Sequence, residues 1–388
     1  MSVSGIRDLP VSTSVAVVGG GIVGLSVAFE LARRGADVLV IERAHVGAGA
    51  AGVAAGMLAV AGEAEHETPE LAGLSLESQR LYPGFVQAAE QVSGVPCRLQ
   101  QDGTLLVALD RDDEGELERL HRFQVRLELP CTWMNGDEAR EKEPQLSPRV
   151  TAALLAPADH QIDPRALLAA LEGAVRALNG RVCTGGAVTG FETEGGRLTG
   201  VTGRTFAVRC EAAVLAAGAW SGTDIVSPGH PVPVRPVKGQ LVRLRGPALL
   251  RRVIRAPEVY LVPRADGELI VGATVEEQGF DPTPTAGAVM DLLWRARLVV
   301  PAVYDLALAE VNVGFRPATR DHLPLIGPSD VPGLYLATGH FRHGVLLAPA
   351  TAVLLANLIL EGRASPLLAP FSPERLWRAP TEGVSAHG

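Results

Sequence analysis

Glycines stand at Gly19, Gly21 and Gly24 in the spacing G-x-G-x-x-G, directly behind the apolar run Val15-Ala16-Val17-Val18 and ahead of a helical pattern. The next apolar run, Val38-Leu39-Val40-Ile41, ends in Glu42. These residue types at this spacing suit the holding of a dinucleotide. The first glycine permits a tight turn, the second lets a pyrophosphate approach the backbone, and the third lets the helix pack closely on the strand, while free N–H groups of the helix's first turn face the phosphates. A carboxylate at the end of the second strand would accept from a ribose hydroxyl. Glycines also punctuate ordinary turns, so the reading rests on strand, turn, helix, strand and acid standing in register.

The elements that must position this chemistry can be followed along the chain. A Gly/Ala-rich segment, 47–57, has little side-chain bulk and permits close backbone approach. An amphipathic helix is predicted over 71–91 and a strand over 104–109, followed by a highly charged stretch, 110–143, that reads as surface helices. Asp163-Pro164 is an N-cap followed by proline at the first helical position, opening an apolar-periodic helix that runs to about Leu178. The unbroken apolar run Ala212-Ala213-Val214-Leu215-Ala216 is expected of a strand buried on both faces, leading into Gly218 and Trp220 beside the nucleotide. From 232 to 274 the pattern changes to strands, with a turn at Asp266-Gly267, and a helix is predicted over 288–299. Doubly wound and antiparallel segments alternate. The expected fold is therefore α/β plus an antiparallel sheet: a Rossmann-like dinucleotide domain (12–90, 151–228 and 312–370) interleaved with a substrate domain on an antiparallel β-sheet (91–150 and 229–311), and a tail, 371–388.

Composition narrows the partners. The chain has 388 residues, 47% of them hydrophobic, enough for two packed cores. Its net charge of −8, with no dense Lys/Arg block, argues against nucleic acid. Cys97, Cys131, Cys183 and Cys210 form no CxxC pair and have no neighbouring histidine ligands, so neither a metal site nor a disulfide framework is expected. The first fourteen residues carry no apolar signal core, and the apolar stretch 345–360 contains Pro349 and reads as a core helix rather than a membrane span. A cytoplasmic protein with no membrane partner is the expectation.

Five segments in order, the glycine fingerprint, Ala55-Gly56-Met57, Ala217-Gly218-Ala219-Trp220-Ser221, Gly314-Phe315-Arg316-Pro317 and the run from Gly339 to Pro349, give the resemblance. The chain resembles the D-amino acid oxidase superfamily of flavoproteins, and within it the glycine oxidases of thiamine biosynthesis, over nearly its whole length. The resemblance implies FAD held without a covalent bond, oxidation of small amines, oxygen as acceptor, and a homo-oligomer, commonly a tetramer. It also implies that Ile22, Val23, Glu42, Arg43, Ala50, Ala51, Ala55, Gly56, Met57 and Val188 line the FAD, and that the segment His340, Phe341, Arg342, His343, Gly344, Val345 and Leu346 edges its flavin ring. Arg316 and Arg342 match the substrate-contacting arginines, and Tyr260 matches a tyrosine of the antiparallel sheet. Three features depart from the pattern. Ala50 and Ala51 stand where hydroxyl residues are frequent, His343 replaces a common asparagine, and His322 follows Asp321 where glycine is usual.

The chemistry asks little of catalytic acids or bases, and none is expected. Oxidising an α-amino acid needs a neutral amine, a Cα–H aimed at the flavin and a held carboxylate. Arg316 suits the last task, since a guanidinium fork matches a carboxylate bidentately and stays charged. Tyr260 is placed to donate to the same carboxylate, although tyrosines in strands also serve as packing. Arg342 precedes a helix predicted to open after Gly344, whose N–H groups would face the flavin's pyrimidine edge and favour reduction. The resulting expectation is an FAD-dependent glycine oxidase giving glyoxylate, ammonia and hydrogen peroxide, with a role in thiazole formation. An oxidase or dehydrogenase for sarcosine, proline or a D-amino acid on the same fold, and a cofactor-binding subunit without turnover, remain as alternatives.

Overall fold

The computed structural model describes residues 9–62 and 69–377, so the end of the expected tail, 378–388, lies outside the described residues. Two eight-stranded sheets organise the chain. In the first, strands run in the order Leu325–Pro328, Leu334–Thr338, Phe206–Leu215, Ser12–Val18, Val38–Glu42 and Arg181–Thr184, and the hairpin Val188–Glu194 with Arg197–Gly203 attaches to Phe206–Leu215. Ser12–Val18 lies parallel to both of its neighbours, with Val18 paired to Ile41 on one side and Leu215 on the other. Val15 and Val17 face one core with Leu25, Phe29 and Leu171, while Ala16 and Val18 face another with Leu39, Val201 and Leu215. Burial on both faces is why this strand shows no polar alternation.

The helices Ile22–Arg33, Pro69–Ser93, Pro164–Ala177 and Gly344–Glu361 contribute to the first of these cores. Phe29 and Phe85 meet there edge to face, 5.5 Å between ring centres. Asp163 caps its helix, accepting from the N–H groups of Arg165 and Ala166. Gly344–Glu361 is apolar and long enough to cross a membrane by composition, but 61% of it is buried inside the fold, as for a core helix.

The second sheet runs Ala307–Ala318, Arg235–Arg245, Glu268–Gly272, Val259–Pro263, Val253–Ala256, Thr104–Ala108, Ala152–Ala156 and Thr132–Asn135. Its neighbours are antiparallel except Val253–Ala256 with Thr104–Ala108. Helix Ala286–Val299 packs Leu292, Ala296 and Val299 on Val242, Leu261 and Val271 of this sheet. The charged stretch forms helices Arg111–Arg126 and Gly136–Lys142, of which the first buries only Leu117, Leu120 and Gln124. Two boundaries differ from the sequence reading. Ala152–Ala156 falls within the span 151–228 expected of the dinucleotide domain, but it pairs with Thr104–Ala108 in the second sheet. Ala307–Ala318 crosses the boundary at 312 as one strand, because it pairs along the whole of Arg235–Arg245.

Candidate active site

One cavity of about 990 Å³ lies between the two sheets, with residues of both in its wall. It is at the top of the ~300–1,000 Å³ range of small-molecule sites. The glycine turn forms one end, and each glycine there has its own reason. Gly19 has φ +115°, and a β-carbon on it would stand 2.4 Å from the Ala216 carbonyl oxygen. A β-carbon on Gly24 would stand 2.1 Å from the Gly19 oxygen, so Gly24 serves packing and does not line the cavity. A β-carbon on Gly21 would meet nothing within 4 Å, which leaves its backbone open to the cavity, as the approach of a pyrophosphate requires. Gly21 is also the N-cap of Ile22–Arg33 and no side chain caps it, so the first N–H groups of that helix are left for a ligand.

Glu42 accepts from the N–H of Gly20 at 2.7 Å and of Ala44 at 2.9 Å. Each oxygen takes one of these bonds, and an ionised carboxylate retains acceptor capacity for a ribose hydroxyl. Arg43 stacks on Trp220, its guanidinium carbon 3.8 Å from the ring centre, and pairs with Asp224 at 3.2 Å. Gly49 caps Ala50–Val53 without a side-chain bond, so Ala50 and Ala51 offer backbone N–H groups where a hydroxyl is absent. Gly56, at φ +82°, closes against Ile162, whose oxygen would lie 2.0 Å from a β-carbon. Ile22, Val23, Ala55, Met57, Val188 and Gly218 also line the cavity.

At the other end the antiparallel sheet supplies the wall. Arg316 donates Nη1 to the Thr274 carbonyl at 2.9 Å, and its guanidinium lies over Gly239 of the adjacent strand. Tyr260 lies over Gly272, its cross-strand partner, whose β-carbon would stand 2.4 Å from the tyrosine oxygen. Gly314 pairs with Gly239 and gives way to Val53. Glycine on three neighbouring strands therefore clears the floor on which these side chains rest. Trp220, Phe280 and Phe315 form an aromatic cluster alongside, with Trp220 and Phe280 stacked at 5.0 Å.

The third wall is the turn His340 to Leu346. Helix Gly344–Glu361 opens there as expected, with His343 at its N-cap and no side-chain cap bond. Gly344, Val345 and Leu346 line the cavity at its first turn, beside Phe341 and Arg342. His340 is buried, and burial together with His343 pushes its pKa down to about 3. It is therefore neutral, with Nε2 3.1 Å from the Thr351 hydroxyl. His322, where glycine is usual, has φ +59°, and its ring stacks on Phe341 at 4.3 Å.

Sequence reasoning passed over several residues here. Gly239, Gly272 and Arg255 belong to the cavity wall, and a lone glycine inside a strand is itself a signal of close approach. Arg264, deeply buried so that its pKa falls to about 10, donates to the Ala55 carbonyl and to Gln161 at 2.7 Å, and so fixes the Ala55-Gly56 backbone. Asp159 accepts from the N–H groups of Val60, Ala61 and Gly62. No local pattern marks either residue.

The comparisons agree with this geometry. Residues 14–358 match the family described as FAD dependent oxidoreductase. The chain belongs to that family. It is 35% identical to the glycine oxidase of Geobacillus kaustophilus over 368 residues, 93% of this chain and 96% of the relative. It is 37% identical over 367 residues to the bifunctional protein ThiO/ThiG of Nostoc sp., covering 93% of this chain but only 55% of that relative's length. The crystal structure of the Geobacillus kaustophilus glycine oxidase superposes with a TM-score of 0.89 at 33% identity, over 94% of this chain and 98% of the other. The FAD-dependent oxidoreductase therefore has a cavity whose glycine turn, open helix ends and acidic strand end fit FAD.

Proposed function

We propose that this FAD-dependent oxidoreductase is a glycine oxidase, converting glycine, oxygen and water to glyoxylate, ammonia and hydrogen peroxide. The observation that carries the reading is that Arg316, Tyr260 and Arg342 all line the cavity that also contains the dinucleotide turn. When bound, FAD would supply the hydride acceptor for the oxidation. Arg316 takes the substrate carboxylate, since Nη1 is turned to the Thr274 carbonyl and the rest of the fork is directed by that bond. Tyr260, held on Gly272, donates its hydroxyl to the same carboxylate. Apolar and aromatic neighbours, among them Met57 and Phe315, exclude water from the reacting carbon.

No cysteine is among the cavity-lining residues, which supports FAD held without a thioether bond. The reading extends to a soluble cytoplasmic homo-oligomer, tetrameric by the resemblance, and to imine supply for thiazole assembly. Anaerobic glycine, sarcosine, D-alanine and D-proline, each mixed with the holoenzyme and followed by flavin bleaching and then by a peroxide assay, test the substrate. Glycine is expected to bleach the flavin and to yield one peroxide per turnover in air. Bleaching by D-proline alone moves the substrate to a bulkier amine on the same fold; bleaching by none of the four overturns amine oxidation.

A further inference from the structure

Pro349 stands in the second turn of helix Gly344–Glu361 and has no N–H, so the Val345 carbonyl four residues earlier lacks its helical donor. Tyr82 supplies the missing bond: its hydroxyl donates to the Val345 oxygen at 3.0 Å. One turn earlier in helix Pro69–Ser93, the Ser78 hydroxyl donates to the Leu346 carbonyl at 2.6 Å and receives the Ala350 N–H at 3.2 Å. Residues four apart share a helix face, and both Ser78 and Tyr82 are buried, at 0% and 2% exposure. Neither lines the cavity.

A hydroxyl in an apolar core costs stability unless it is bonded, and phenylalanine or alanine would fill these places without that cost. What the hydroxyls touch explains their presence. Val345 and Leu346, whose carbonyls they hold, are residues of the opening turn that lines the cavity, and the N–H groups of that turn are the positive end of an 18-residue helix. The bonds are made on the core side of the turn whose other side faces the ligand.

We propose that Ser78 and Tyr82 are positioning residues for FAD, holding the Pro349-interrupted turn so that its N–H groups are presented to the negative charge that collects on the reduced flavin. The proposal rests on the reading that the flavin ring lies against the His340 to Leu346 segment, and it is independent of which amine is oxidised. Without the Tyr82 hydroxyl the Val345 carbonyl is buried with no helical donor. The turn then relaxes, and reduced flavin loses more binding than oxidised flavin does.

The test is the reduction potential of the bound flavin, measured on holoenzyme against a reference dye with no substrate present. Tyr82→Phe is expected to lower the preference for reduced over oxidised FAD by roughly tenfold, about 30 mV for a two-electron couple. Adding Pro349→Ala restores an N–H opposite the Val345 carbonyl, so the double variant should recover the potential that Tyr82→Phe loses. A Tyr82→Phe holoenzyme with lowered melting temperature and unchanged potential overturns the proposal, as does a double variant that stays at the lowered potential. Should Tyr82→Phe fail to fold, Ser78→Ala carries the same measurement, and an unchanged potential there overturns it equally. A wild-type protein that binds no FAD instead refutes the reading of the cavity, a result distinct from any of these.

Discussion

The Arg316 guanidinium lies over Gly239, close enough that a β-carbon there would stand 2.4 Å from Nη1 and 2.7 Å from Cζ. The side chain therefore keeps its place because the neighbouring strand has no side chain at that position. Gly239→Ala is expected to fold normally, since the obstructed atoms are the far end of a flexible side chain, and to raise KM for glycine about tenfold by displacing one charge-assisted contact. Steady-state kinetics beside a thermal melt check this. A large fall in melting temperature at unaltered KM would mean that the glycine serves the sheet and not the arginine.

Arg316→Ala should keep FAD and the fold but lose carboxylate binding by about 1.5 to 3 kcal/mol. Arg316→Lys should recover only part, because an ammonium lacks the fork. Titration with glycolate as a carboxylate inhibitor reads the loss directly. If the alanine variant binds glycolate as tightly as the parent, the carboxylate is held elsewhere.

Acid precipitation should release all the yellow colour into the supernatant as FAD. Cys97, Cys131, Cys183 and Cys210 all lie away from the cavity wall, and burial pushes the thiols of Cys97 and Cys210 up to about 12. Neither thiol supplies a thiolate near neutrality. Colour retained in the pellet contradicts this.

Asp159 gives a pH-dependent stability of definite sign. Burial pushes its pKa up to about 6 despite three backbone N–H donors and nearby Arg255. The folded state therefore holds a proton that the unfolded state has already released between about pH 4 and 6, and this group's contribution falls as pH rises through that window. The full difference is about 3 kcal/mol at ~1.36 kcal/mol per unit. Asp159→Asn cannot ionise, and its amide sets a donor against one N–H, so it carries a constant cost. Relative to wild type, the variant should be worse at pH 4 than at pH 7, and denaturant melts at the two values measure the difference. A cost that grows with pH would mean the carboxylate is stabilised as an anion.

What was legible in the sequence is what is local. Gly19, Gly21, Gly24 and Glu42 do their work within one strand–turn–helix–strand unit, and Asp163 with Pro164, or Asp266 with Gly267, act on their own neighbours. The sheet membership of Ala152–Ala156 was not legible, because an apolar run says that a strand is buried and not which strand it joins. Gly239 and Gly272 were passed over because the side chains they admit, Arg316 and Tyr260, arrive from other strands. Tyr82 lies within the amphipathic helix expected over 71–91, where nothing local marks its hydroxyl; only the missing N–H of Pro349, more than 260 residues away in sequence, gives it a purpose.

The pH dependence of turnover should belong to the substrate. An ammonium nitrogen cannot supply the lone pair that stabilises the forming iminium, so kcat/KM for glycine should rise with pH until the free amine predominates. Buried His340 in the cavity wall adds no inflection of its own: its pKa is at about 3 and it is neutral throughout any working range. A group with ordinary histidine behaviour would titrate near pH 6.5. Stopped-flow flavin bleaching from pH 5 to 10, with glycine and then with an amine of lower pKa, separates the two sources. The inflection should move with the amine. An inflection that stays near 6.5 for both substrates would assign the proton to the protein.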